Sequence, residues 1–93
     1  MAKLIKTVGE ATDVFPANDE QFTTEELQNL VDGPIEMTRT GDPRFFLVVN
    51  KNGLDLDLKV NHTATNIYRR KGTVFPQPIL GNCVIVTEAE VGY

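Results

Sequence analysis

Hydrophobic and polar positions alternate along this chain in two periods, one suited to helices and one to strands. Leu27, Leu30 and Val31 are spaced i, i+3 and i+4, which predicts a single apolar stripe on a short helix. Thr23 as N-cap puts Glu26 at the third helical position, the arrangement of a capping box, and Phe22 with Leu27 fits the accompanying hydrophobic staple. Glu25 and Glu26 then lie where the helix dipole favours negative charge. Asp32-Gly33-Pro34 ends the helix, with Gly33 suited to a left-handed cap and Pro34 unable to continue. A helix of about two and a half turns does not stand alone in water, so it must pack on something.

The strand period appears on both sides of that helix. Lys3-Leu4-Ile5-Lys6-Thr7-Val8 is β-prone and predicts a first strand within residues 1–8. Gly9 to Glu20 reads mostly as loop, with an extended stretch at Ala11 to Phe15 as the alternative. Ile35-Glu36-Met37-Thr38-Arg39 alternates like a strand with one wet face, Thr40-Gly41-Asp42-Pro43 is a turn, and Phe45-Phe46-Leu47-Val48-Val49 is a continuous apolar run. The two segments predict an antiparallel hairpin whose second strand is covered on both faces. Asn50-Lys51-Asn52-Gly53 closes that strand, with Gly53 expected at positive φ. Leu54, Leu56, Leu58 and Val60 alternate with Asp55, Asp57 and Lys59, which predicts a further strand or extended segment. Asn61-His62-Thr63 offers a cap for a second helix through Ala64, Ile67, Tyr68 and Arg70, ended by Gly72. Thr73 to Pro78 is an irregular connection. Ile79-Leu80 and Val84-Ile85-Val86 form the last strand, interrupted at Gly81-Asn82 by a bulge or a close backbone contact. Residues 87–93 are expected to form a loose tail. The whole is a small α+β domain: a mainly antiparallel sheet of four or five strands with two short helices, roughly βαββ(β)αβ. That order approximates a ferredoxin-like domain.

Composition adds limits. Ninety-three residues allow one compact domain. No apolar run approaches the ~20 residues that span a bilayer, and Met1 to Lys6 lacks the apolar core of a signal peptide. The single cysteine, Cys83, allows no intrachain disulfide, so a reducing cytoplasmic setting is expected. Without a secretion signal, Asn61-His62-Thr63 is a chance match to the glycosylation pattern. The formal net charge of −4 argues against direct nucleic-acid binding, which usually calls for a basic face. The dense basic cluster Arg69-Arg70-Lys71 reads as the solvated end of a helix.

Chemistry-bearing residues are sparse. His62, the only histidine, falls at a helix start and reads as a surface or cap-adjacent residue. Asp55 and Asp57 would share one face of a strand, but no third cation ligand follows at a recognisable spacing. Gly41 and Gly53 carry no phosphate-loop or dinucleotide-loop spacing. Cys83 reads as a small buried hydrophobe, with no basic neighbour to activate it. These residues predict no enzyme, no metal and no cofactor. Asn50, Asn61 and Asn82 stand at element boundaries, where amides cap helices and close turns. Their functional reading is a polar cluster at one end of the sheet that, with Tyr68, binds a ligand or a partner's main chain.

The ordered segments Gly33-Pro34-Ile35-Glu36, Leu47-Val48-Val49-Asn50 with Gly53, Asn61-His62-Thr63-Ala64-Thr65 and Ile79-Leu80-Gly81-Asn82-Cys83-Val84-Ile85 carry a resemblance. They resemble a family of short uncharacterised proteins, a domain of unknown function found in phages, plasmids and other mobile elements of bacteria. The likeness covers about two thirds of the chain, from Thr24 onward, with Lys51 where an acidic residue often stands. It implies an intracellular accessory protein and transfers no catalytic residue. The leading expectation is a non-enzymatic module that binds a protein partner. Self-association as a homodimer is expected through Phe46 and Val48, on a sheet face that two helices on the opposite side leave bare. The alternatives are a binder of a small nucleotide-like metabolite and an acidic inhibitor that occupies the basic groove of a nucleic-acid-binding enzyme.

Overall fold

A computed structural model describes residues 2–18, 20–39, 44–70 and 78–91, without the side chains of 39 and 67–70. Among these residues the order is β1 (Ala2–Ile5), β2 (Ala11–Val14), α1 (Thr24–Val31), β3 (Ile35–Arg39), β4 (Phe45–Asn50), α2 (His62–Arg70), β5 (Cys83–Thr87) and α3 (Glu88–Val91). The strands form one antiparallel sheet in the order β2-β1-β5-β4-β3. This is the small α+β fold expected, with β2 realising the extended option at Ala11 to Phe15. The predicted hairpin is present, pairing Ile35 with Asn50 and Met37 with Val48. The strand order is not ferredoxin-like. In that topology one strand separates the two joined by the first helix, whereas here α1 joins β2 to β3 at opposite edges of the sheet, with β1, β5 and β4 between them.

Alternation along the strands builds two cores, one on each side of the sheet. Ala2, Phe46, Val48, Val84 and Val86 meet Phe22, Leu27 and Val31 of the α1 segment, with Val91 of α3 against them. Ile5, Leu47 and Cys83 point the other way and meet Ala64 of α2 and Ile79. The helices are therefore divided between the faces. This corrects the expected self-association surface: Phe46 is 8% exposed and Val48 0%, both under α1 within a single chain. No bare face remains at those residues for a second copy to cover.

Helix α1 forms as its sequence predicts. The Thr23 hydroxyl accepts from the Glu26 N–H at 3.1 Å, and the Glu26 carboxylate accepts from the Thr23 N–H at 2.9 Å. The other Glu26 oxygen accepts from the Ala17 N–H at 2.8 Å, fastening the preceding loop to the helix. Those bonds to the charged form hold the Glu26 carboxyl below its usual value of 4.5, the Thr23 backbone bond first among them. Thr23→Ala should therefore lower stability by about 1 kcal/mol. A folded pKa below the unfolded one gives stabilisation that is present at neutral pH and lost as pH falls through the folded value. Urea midpoints of wild type and Glu26→Gln should accordingly differ at neutral pH and converge in acid; a constant difference would detach the carboxylate from this role.

Several local expectations change. The left-handed residue that caps α1 is Asp32 (φ 64), whose N–H bonds to the Gln28 carbonyl, and Gly33 follows it. Gly53 is not at positive φ; a Cβ there would stand 3.2 Å from that of Leu80, a tight approach. Leu54 to Val60 is no strand. Residues 51–57 are turns, so Asp55 and Asp57 share no strand face, and Val60 makes only an isolated bridge to Leu80. Ile79 and Leu80 thus precede β5 rather than belonging to it. The tail is helical over Glu88–Val91 and anchored, because the Glu90 carboxylate accepts from the Thr87 N–H and hydroxyl, both at 2.9 Å, and the Phe22 N–H donates to the Glu90 carbonyl at 2.7 Å. The Thr40 to Pro43 turn, Lys71, Gly72 and the connection up to Gln77 lie outside the described residues.

Candidate functional site

The end of β1, the end of β4 and the start of β5 meet at one end of the sheet, where Ile5 pairs with Cys83 and Asn50 pairs with Ile35. The three asparagines gather there. Asn61 is fully buried and stands before α2 as its N-cap. Its Nδ2 donates to the Ile5 carbonyl at 2.9 Å and the Gly81 carbonyl at 3.0 Å, and its Oδ1 accepts from the Ala64 N–H at 3.0 Å. Both amide hydrogens are spent, so Asn61 joins β1, α2 and the approach to β5 and has no donor left for a ligand.

Asn50, also buried, donates to the Val31 carbonyl at 3.0 Å and accepts from the Asn52 N–H at 2.8 Å. It thereby satisfies a carbonyl in the last turn of α1 and starts the loop after β4. A Cβ on Gly33 would stand 2.7 Å from its amide nitrogen, which explains the glycine next to the helix cap. Asn82 is half-buried and accepts from the Thr7 N–H at 3.0 Å. Tyr68 lies in α2, and its side chain is outside the described residues. The amides therefore act on the chain's own backbone, as caps and ties.

Thr65, offered by the sequence only as the end of the segment Asn61 to Thr65, belongs to the same construction. Its hydroxyl donates to the Asn61 carbonyl at 2.8 Å and accepts from the Ile79 N–H at 3.0 Å. Its position four residues after the N-cap was the available signal, since a threonine there can bond back one turn. Gly81 adopts φ +79, and a Cβ on it would meet Leu58 at 2.7 Å, the close contact that its interruption of the apolar run implied.

What this end turns outward is the loop from Lys51 to Lys59. Leu58 packs in at Gly81, while Leu54 and Leu56 point to solvent. A hollow of about 190 Å³ opens beside it, lined by Glu36, Thr38, Val49, Asn50, Lys51 and Leu54 among others. His62 is exposed at the start of α2. Cys83 is buried, and desolvation pushes its thiol up to about 12, which keeps it protonated and unreactive at neutral pH. Among the described residues no three His, Cys, Asp or Glu side chains gather as metal ligands, and no helix is long and apolar enough to cross a membrane.

No curated protein and no solved structure matches the chain. A family model does match, over residues 5–92, nearly the whole length and all five strands in whole or part. The chain belongs to the family described as domain of unknown function DUF3846.

Proposed function

We propose that this protein is a non-enzymatic interaction module of a phage or other mobile element, binding a protein partner in the host cytoplasm. The mobile-element origin rests on the motif resemblance. The binding role rests on one observation: Leu54 is 71% and Leu56 54% exposed on a loop that the fold holds firmly. The Lys51 N–H donates to the Pro34 carbonyl at 2.7 Å, the Leu56 N–H to Asn52 at 2.9 Å and the Leu58 N–H to Gly53 at 3.0 Å. Exposed leucines on a pre-ordered loop can be buried by a partner at little entropic cost. Asp55 and Asp57, also exposed, add a charged rim.

The test is affinity capture from the native host with wild type and the double variant Leu54→Asp, Leu56→Asp. Both side chains are exposed, so the variant should melt with the wild type. A protein retained by wild type and lost by the folded variant supports the loop as the interface. Identical sets retained by both would overturn it.

A small-ligand reading has the hollow beside Asn50 in its favour. At about 190 Å³ it falls below the ~300 Å³ at which ordinary small-molecule sites begin. A nucleotide-sized metabolite would fill it only partly enclosed, so this reading stands second. A thermal-shift series with nucleotides checks it: a rise that Lys51→Ala abolishes would reverse the ranking.

A further inference from the structure

We propose that two copies of this chain pair through the free edge of β2, antiparallel and about a two-fold axis, so that one sheet runs continuously across both. β2 is an edge strand, bonded on one side to β1. Among the described residues no strand pairs with its outer side, whose backbone groups can take up an extended chain. The usual protections of such an edge are weak here: Ala11-Thr12-Asp13-Val14 contains no lysine, arginine or proline. Its one charge, Asp13, is drawn back to Lys3 at 3.5 Å. The described residues expose four large hydrophobics, and two of them flank this strand: Val8 at 79% and Phe15 at 67%.

The edge has a self-complementary register. The Lys6 N–H donates to the Glu10 carbonyl at 2.8 Å, closing the β1–β2 hairpin. Antiparallel ladders alternate, so Thr12 and Val14 bond inward to β1, while Ala11 and Asp13 turn their N–H and C=O outward. A two-fold axis normal to the sheet keeps each face on its own side, so a residue must meet one of its own parity. Centring the pair on Asp13 would set two carboxylates directly opposite, which is repulsive. Centring it on Ala11 would run the ladder into the hairpin turn, where the Gly9 N–H is already committed to the Lys6 carbonyl. Centring it on Thr12 avoids both. Ala11 then exchanges backbone bonds with Asp13 of the second copy, twice over by symmetry. The two Thr12 side chains form a cross-strand pair, a favoured combination. Phe15 comes level with Gly9 of the second copy, next to its Val8, so the exposed hydrophobics at the two ends of the strand shelter one another.

The experiment is light scattering of the full chain across micromolar concentrations, with amide exchange followed residue by residue. Wild type should approach twice the 10.3 kDa of one chain. As concentration rises, exchange at Ala11 and Asp13 should slow by about tenfold or more while Thr12, bonded within the chain, stays unchanged. Phe15→Lys and Asp13→Pro should each return the mass to one chain; the proline removes an outward donor and leaves the β1 ladder intact. Should the proline variant fail to fold, loss of the dimer in a folded Phe15→Lys protein still supports the pairing. A monomer at every concentration, with exchange at Ala11 and Asp13 independent of it, overturns the proposal. So does a dimer that survives folded Phe15→Lys. None of these readouts depends on Leu54 or Leu56, so this pairing and the loop interface stand or fall separately.

Discussion

Asn61→Ala should destabilise the fold by about 4 kcal/mol, a large part of the 5–15 kcal/mol that holds a domain of this size together. The substitution deletes three bonds at once. The Ile5 and Gly81 carbonyls and the Ala64 N–H each lose a bond in a fully buried place that water does not reach. Each buried polar group left unmade costs about 1–3 kcal/mol, and a helix N-cap goes with them. Asn61→Asp is the informative companion. It keeps the oxygen that caps α2 but turns a carboxylate toward two carbonyls, so rescue by the aspartate is not expected. Asn82→Ala, with one bond from a half-buried side chain, should cost about 1 kcal/mol. Urea midpoints followed by circular dichroism would rank the three. Equal midpoints for Asn61→Ala and Asn82→Ala would mean that the network around Asn61 does not carry the fold.

Leu27→Ala should cost about 2–4 kcal/mol, as the loss of a buried leucine does when its surroundings close only in part. Leu27 is buried beside Val31, and the two cover Phe46, Val48 and Val84 on the α1 face. The matching control is Leu54→Ala, whose side chain is mostly in solvent and whose midpoint should stay within about 0.5 kcal/mol of wild type. If Leu27→Ala left the midpoint unmoved, α1 would not be the lid of that core.

Local chemistry was legible where a motif determines its own geometry. Thr23-x-x-Glu26 with Phe22 and Leu27 predicts α1, and the alternation from Ile35 with the apolar run after Phe45 predicts the hairpin. Thr87-x-x-Glu90 repeats the Thr-x-x-Glu spacing of α1 and forms the corresponding carboxylate-to-backbone bond in α3. Only one short turn follows it, too little for the periodic apolar stripe that signals a helix. Leu54 to Val60 misled for the opposite reason. Alternation in seven residues also suits a chain of turns, and the close approach of Leu58 to Gly81, invisible in the sequence, decides between them. The asparagine cluster was placed at one sheet end by its boundary positions alone, yet which backbone groups the amides reach depends on strand order. Strand order also decides the fate of Phe46 and Val48. Whether two helices share a face or divide the two between them depends on how the connections cross the sheet, which no local pattern encodes.

The place of β5 bears on how the chain acquires its structure. It is the last strand along the sequence and the middle strand of the sheet, and it joins the hairpin of β1 and β2 to the hairpin of β3 and β4. The Thr7 to Asn82 bond beside it spans 75 positions of chain. Until β5 leaves the ribosome the two hairpins share no strand, and a lone two-stranded hairpin is marginal in water. Both cores lack Cys83, Val84 and Val86 until then. Such non-local closure slows folding, because loop entropy must be spent before the contacts form. All residues up to β5 must therefore be made before the sheet is secure, and in that interval the apolar run of β4 is the segment most in need of protection from aggregation.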